Sequence, residues 1–104
     1  MTVTGRQEIY RAKVNLETAR IAWKELQRFF AGGTAIHVSD DLDLVEVAFQ
    51  MSEDNAAQIQ RWMVAGKLGK VTDEQADVWF GTDSLVWVVV VSPWVLVQSS
   101  VNQQ

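Results

Sequence analysis

The chain has 104 residues, of which 48% are hydrophobic, and its 9 basic and 13 acidic residues give a net charge of −4. This length and apolar content predict a single folded domain over 1–104 and argue against disorder. The negative charge argues against nucleic acid as a partner, because phosphates would repel the chain. The lack of cysteine excludes disulfides and thiolate metal sites, and one histidine excludes a multi-histidine site. We therefore expect no cofactor and no metal.

Neither targeting nor membrane segments are visible in the sequence. The first twenty residues carry charges throughout and lack the apolar stretch of a signal peptide. The longest apolar run, over 85–91, is far shorter than the roughly 20 residues that cross a bilayer. We therefore expect a cytoplasmic protein without a membrane partner.

The N-terminal third has the apolar spacing of a helix. Apolar residues recur every three or four positions and share one helical face: Ile9, Ala12, Leu16, Ala19, Trp23, Leu26 and Phe30. Gly32 and Gly33 would end this helix. A single helix here would be about 39 Å long, which is long for a small domain. Two helices, with a break between Leu16 and Ala22 and Thr18 as the second cap, are therefore favoured over one.

Two short strands are predicted next. The stretch 34–38 is apolar and β-branched, and 44–51 alternates, with Val45, Val47, Phe49 and Met51 on one face. Ser39, Asp40 and Asp41 between them have turn chemistry. The two strands are therefore predicted to form an antiparallel hairpin.

Two helices follow this predicted hairpin. The first is predicted over 54–65, with Gly66 after its end. The second begins with a capping box, in which Thr72 caps the helix and Gln75 reaches back. It is predicted to run to about Phe80, with Trp79 and Phe80 buried and Gly81 as its end.

The C-terminal segment 85–97 is apolar on both faces and therefore needs cover on both sides. A hairpin turning at Ser92 and Pro93 is doubtful, because proline at the second turn position needs a cis bond or forces a different geometry. One long strand bent at Pro93 is therefore favoured over two short strands. The fold class is then α+β, with a small antiparallel sheet packed against N-terminal and central helices.

Several stretches resemble a bacterial family of small acidic proteins of unknown function. This is family 2288 among the domain families of unknown function. The resemblance rests on 43–47, on 72–75 and most specifically on 93–98, together with Asp54, Gln58, Trp62, Gly66 and Leu68. It extends from about Ile9 to Gln98. The resemblance implies a short bacterial protein with no assigned activity, and it supplies no catalytic residues.

One acidic cluster could bind a ligand. His37 lies near Asp40, Asp41, Asp43 and Glu46, and oxygen ligands suit Mg²⁺ or Ca²⁺. The spacing does not fit a calcium-binding EF-hand loop, and aspartates at a turn are expected for conformational reasons alone. The structural interpretation is therefore favoured over a metal site or acid–base catalysis.

The five tryptophans are the unusual feature of the composition. Trp23, Trp62 and Trp79 lie on apolar helical faces and are interpreted as core. Trp87 and Trp94 lie on the segment with two apolar faces. If the helices cover only one face of the sheet, the other face needs a partner.

Two functions follow from these patterns. The favoured one is a non-enzymatic protein that self-associates, as a homodimer, or binds a protein partner through its sheet. The interface candidates are Trp87, Val89, Val91, Trp94 and Leu96. The alternative is a small-molecule binder or enzyme with a tryptophan-lined pocket, using His37, Asp41, Asp43 and Glu46.

Overall fold

The structure, a computed structural model, describes residues 18–100. The described chain forms five strands, four α-helices and one 3₁₀ helix. In chain order these are β1 Ala19–Ala22, the 3₁₀ helix Trp23–Leu26, α1 Gln27–Ala31, β2 Ala35–Val38, α2 Leu44–Ser52, α3 Ala56–Val64, β3 Leu68–Lys70, α4 Asp73–Gly81, β4 Leu85–Val91 and β5 Trp94–Ser99.

The strands form one sheet in the order β1-β4-β5-β2-β3. Every neighbouring pair is antiparallel except β2 and β5, which are parallel. The predicted α+β class is confirmed, although the sheet is mixed rather than purely antiparallel. No helix among residues 18–100 is long and apolar enough to cross a membrane.

Helices pack on both faces of the sheet, because β4 and β5 are apolar on both. On the side called the α4 face, Val86 and Val97 pack with Trp23 and Trp79. On the opposite side, called the α2 face, Val89 and Leu96 pack with side chains of α2 and with Ile59 and Trp62 of α3. The C-terminal segment is thus covered on both sides, and its cover comes from this chain's own helices.

The predicted strand over 44–51 is wrong, because this stretch forms helix α2. The Asp43 carboxylate accepts the backbone N–H groups of Val45 at 3.0 Å and Glu46 at 3.4 Å, and so caps the helix. The buried residues Leu44, Val47 and Ala48 also fit helical spacing. The predicted hairpin is therefore wrong as well, and β2 pairs with β3 and β5 instead.

The N-terminal helix prediction is wrong over Ala19–Ala22, which form the edge strand β1 against β4. Thr18 therefore precedes a strand and caps no helix. Helical structure begins only at Trp23, and α1 ends before Gly32. The rest of the prediction, from Ile9 to Leu16, lies outside the described residues.

The long bent strand is also wrong, because 85–99 forms a tight hairpin. Val91 pairs with Trp94 across a turn made by Ser92 and Pro93. The peptide bond between these two turn residues is cis, which is one of the two ways in which proline can occupy this turn position.

Both central helices are confirmed. Asn55 caps α3 by accepting the Gln58 N–H at 3.3 Å, and Gly66 follows with a φ of +77°. The Thr72 hydroxyl accepts the Gln75 N–H at 3.1 Å at the start of α4. Trp79 is buried as predicted, but Phe80 is 48% exposed, because it lies on the solvent side of this helix.

Candidate functional site

A cleft of about 840 Å³ lies on the α4 face, between α4 and the edge strand β3. Ser39, just beyond β2, and Ser99, at the end of β5, both line it. The cleft therefore lies outside the carboxyl ends of the parallel strand pair, where open sheets commonly hold ligands. Its lining residues are His37, Ser39, Asp40, Gly66, Lys67, Leu68, Gly69, Lys70, Thr72, Gln75, Val78, Trp79, Thr82, Ser84 and Ser99.

The space in the cleft depends on a glycine. Gly69 lies directly opposite His37 in the β2–β3 register, so the two positions share the α4 face. A Cβ atom at Gly69 would meet no other atom within 4 Å. The absence of a side chain here leaves the His37 ring open on the β3 side.

His37 packs against α4 through its ring. The imidazole lies edge-on to Trp79, with 5.4 Å between ring centroids and 81° between ring planes. Burial lowers the pKa of His37, and the nearby Asp40 carboxylate only partly opposes this. The imidazole is therefore neutral at neutral pH, with one nitrogen to donate and one to accept a hydrogen bond.

A short polar chain fixes a lysine at the rim of the cleft. Lys67 forms an ion pair with the Asp41 carboxylate, and the Ser39 hydroxyl donates to the same carboxylate. The hydrogen bond from Lys67, followed by that from Ser39, lowers the pKa of Asp41. Because both charged groups are largely exposed, the pair contributes little stability, but it restricts where the Lys67 ammonium lies.

Hydroxyl groups line the other end of the cleft. The Thr82 hydroxyl lies 2.8 Å from the Val78 carbonyl oxygen, to which it donates, and 2.6 Å from the Ser84 hydroxyl. Ser84 and Ser99 are both buried. This end of the cleft therefore offers hydrogen-bonding groups without a formal charge.

The predicted ligand cluster is divided by the fold. His37 lines the cleft, and Asp41 lies at its rim, where it forms the ion pair with Lys67. Asp43 is used as the cap of α2, and the Glu46 carboxylate accepts a hydrogen bond from Gln50 at 2.7 Å on that helix. Among residues 18–100, no three histidine, aspartate or glutamate side chains are grouped as a metal site.

The five interface candidates lie on the α2 face. Val89 and Leu96 are 0% exposed beneath the helices, and so they offer no surface to a second molecule. Val91 and Trp94 are partly buried against the same core, as is Trp87, whose ring lies 5.5 Å from the Arg20 guanidinium carbon. The sequence predicts this interface on an apolar face that lacks cover. In the structure α2 and α3 cover that face.

Sequence reasoning missed most of the cleft. Lys67 and Gly69 lie at β3, Thr72 and Gln75 lie at the start of α4, and the remaining hydroxyl residues come from other segments. No single motif connects these groups. The one local signal is His37 followed by Ser39 and Asp40, and the sequence predicts a turn at Ser39 and Asp40. Only the pairing of β2 with β3 brings these residues beside Gly69.

Comparisons with known proteins place the fold in a family. The family model described as "Protein of unknown function (DUF2288)" matches residues 9–99. The chain belongs to this family. It is also similar to the solution NMR structure of PA1075 from Pseudomonas aeruginosa, at 40% identity and a TM-score of 0.81, covering 92% of this chain and 89% of that one. None of the curated proteins matches. Membership carries no assigned activity.

Proposed function

We propose that this chain binds a small organic anion in the cleft around His37. The observation that carries the proposal is the charge of the lining. Two lysines, Lys67 and Lys70, and one carboxylate, Asp40, are among the lining residues, and the Lys70 ammonium lies beside Gly33. With His37 neutral and Asp41 paired with Lys67 at the rim, the two lysines are balanced by two carboxylates, so the cleft is close to neutral in a chain whose net charge is −4. A near-neutral cleft that offers ammonium donors repels an anion less than the rest of this acidic chain does.

The remaining lining groups suit an organic ligand rather than a bare ion. Val78 is 57% exposed in the cleft and offers an apolar contact. His37 and the hydroxyls at the Ser84 end can each donate and accept hydrogen bonds. The Asp40 carboxylate repels a second negative group but accepts a hydrogen bond from an O–H or N–H. The ligand class is therefore a carboxylate or phosphate ester that also carries a donor.

Compared with the pocket predicted from the sequence, the proposed site has a smaller residue set. His37 lines the cleft, Asp41 acts through Lys67, and Asp43 and Glu46 have other roles on α2. The competing hypothesis, a partner bound on an apolar sheet face, lacks support because helices cover both faces.

The test is an NMR titration of ¹⁵N-labelled protein with succinate and, separately, with glycerol phosphate. Backbone resonances of His37, Lys67 and Gly69 should shift for one of these anions and not for glycerol. Lys67→Gln should weaken binding about tenfold, since a charge-assisted hydrogen bond contributes about 1.5–3 kcal/mol. Lys24→Gln is the matched control, because Lys24 is also in an exposed ion pair, with Asp83 at 3.6 Å.

A second variant tests the cleft itself. Gly69→Val should abolish binding by filling the space beside His37, whereas Gly81→Val, also at an open glycine position, should not. Binding that survives Gly69→Val, or equal losses in Lys67→Gln and Lys24→Gln, would contradict the proposal. An absence of shifts with both anions at millimolar concentration would contradict it as well.

A further inference from the structure

The outer edge of β3 has backbone groups that point away from the sheet. The Ser39 N–H donates to the Lys67 carbonyl at 2.9 Å, and the Val71 N–H donates to the Ala35 carbonyl at 3.2 Å. Ladder hydrogen bonds alternate along a strand, so the intervening Leu68 and Lys70 direct their N–H and C=O groups outward. Within residues 18–100, β3 pairs only with β2.

We propose that two copies of this chain pair antiparallel through their β3 edges, with Gly69 of each copy at the two-fold axis. In this register Leu68 of one copy lies opposite Lys70 of the other, and these residues exchange the hydrogen bonds. The two Gly69 residues face each other as the close, non-hydrogen-bonded pair. Two five-stranded sheets then become one sheet of ten strands.

The residues of β3 suit a second copy of the chain at this edge. With glycine at the axis, no side chain of either copy stands between the two clefts on the α4 face. The register places each Lys70 opposite a leucine, so like charges do not oppose each other directly. Because an isologous contact uses the same edge of both copies, it leaves no further β3 edge open and stops at two copies.

The second copy would also change the cleft. The cleft is open beside Gly69, and Val78 is 57% exposed there. A partner at the β3 edge closes that side of the cleft. The two His37 residues each lie one strand from the axis, so the clefts of the two copies border each other.

The decisive test compares Lys70→Pro with Lys70→Thr in sedimentation equilibrium at micromolar concentration. Proline removes the outward N–H of residue 70, which β2 does not use, whereas threonine keeps that N–H and removes the charge. The wild-type chain and Lys70→Thr should have twice the chain mass, and Lys70→Pro should have the mass of one chain. A monomeric wild-type chain, or a dimeric Lys70→Pro, would overturn the proposal.

Cross-linking keeps the proposal testable if Lys70→Pro fails to fold. The chain has no cysteine, so Gly69→Cys introduces a single thiol. Facing residues in a non-hydrogen-bonded pair have Cα atoms about 4.5 Å apart, which a disulfide can span. Mild oxidation should give a covalent dimer for Gly69→Cys but not for the control Gly81→Cys. Cross-linking of both variants, or of neither, counts against this register.

The pairing does not depend on anion binding: a monomer that still binds the anion would overturn only the pairing.

Discussion

The two faces of the sheet differ at the edge strand β3, although helices cover both. On the α2 face β3 contributes Leu68, which is buried in the same core as Val38, Val89 and Leu96. On the α4 face it contributes Gly69, which contributes no side chain. The same three-residue strand therefore closes one core and opens a cleft beside the other. A site on this fold depends on a missing side chain as much as on the polar groups that surround it.

The largest expected effect is at the closed face. Leu96→Ala should lower the free energy of unfolding by about 3 kcal/mol, because Leu96 is fully buried and its truncation leaves a cavity. Gly69→Ala on the cleft face should be neutral or stabilise by about 0.5 kcal/mol, since the added methyl meets open space and restricts the unfolded chain. Urea denaturation of the two variants measures the difference.

Val90→Ala is the control for this prediction, because Val90 is a half-exposed apolar residue of the same sheet. It should cost well under 1 kcal/mol. If Gly69→Ala were as damaging as Leu96→Ala, the cleft face would be packed rather than open, and the contrast between the two faces would fail.

An effect of intermediate size concerns the helices that cover the faces. Asp43→Ala should destabilise the protein by about 1 kcal/mol, because the carboxylate caps α2 over the closed face. Asp43→Asn should stay close to the wild type, since an amide oxygen also caps. Thr72→Ala, at the start of α4 over the cleft face, should cost a similar amount. Thermal or urea unfolding provides the measurement; a large loss in Asp43→Asn would show that the negative charge, rather than capping, matters there.

The central helices and the class of fold could be predicted because their signals are local. The capping residue Thr72 and the glycine after α3 act within a few residues of the positions they control. Helix α2 has a local signal of the same kind in its cap, Asp43, but that signal competes with a strand pattern. Its valines and phenylalanine have the propensity and the alternation of a strand. The helix forms because helical spacing buries its apolar residues against β4 and β5.

The candidate site was less predictable than the fold, because it depends on strand pairing between distant segments. Ser39 and Ser99 become neighbours of the cleft only through the parallel pairing of β2 with β5. The sequence identifies His37 as a candidate and groups its nearby carboxylates in one possible ligand cluster, while favouring a structural role for them. In the fold Asp43 caps a helix through nearby backbone N–H groups, whereas Asp41 pairs with Lys67, which is distant in the sequence.

The smallest expected effect is a pH dependence that belongs to the cleft face alone. Burial lowers the pKa of His37 below its ordinary value of 6.5, so the unfolded chain binds a proton that the folded chain does not. Stability is then full above that value and is lost as the pH falls through it toward the folded pKa. The Asp41 contribution, from a pKa lowered below 3.8, is lost only at more acidic pH.

Urea midpoints of the wild type should therefore fall as the pH is lowered from about 7 to about 5. His37→Gln should show a flatter profile, because it lacks the titrating group. An unchanged slope in His37→Gln would mean that other groups carry the dependence and that the imidazole is not held neutral against Trp79.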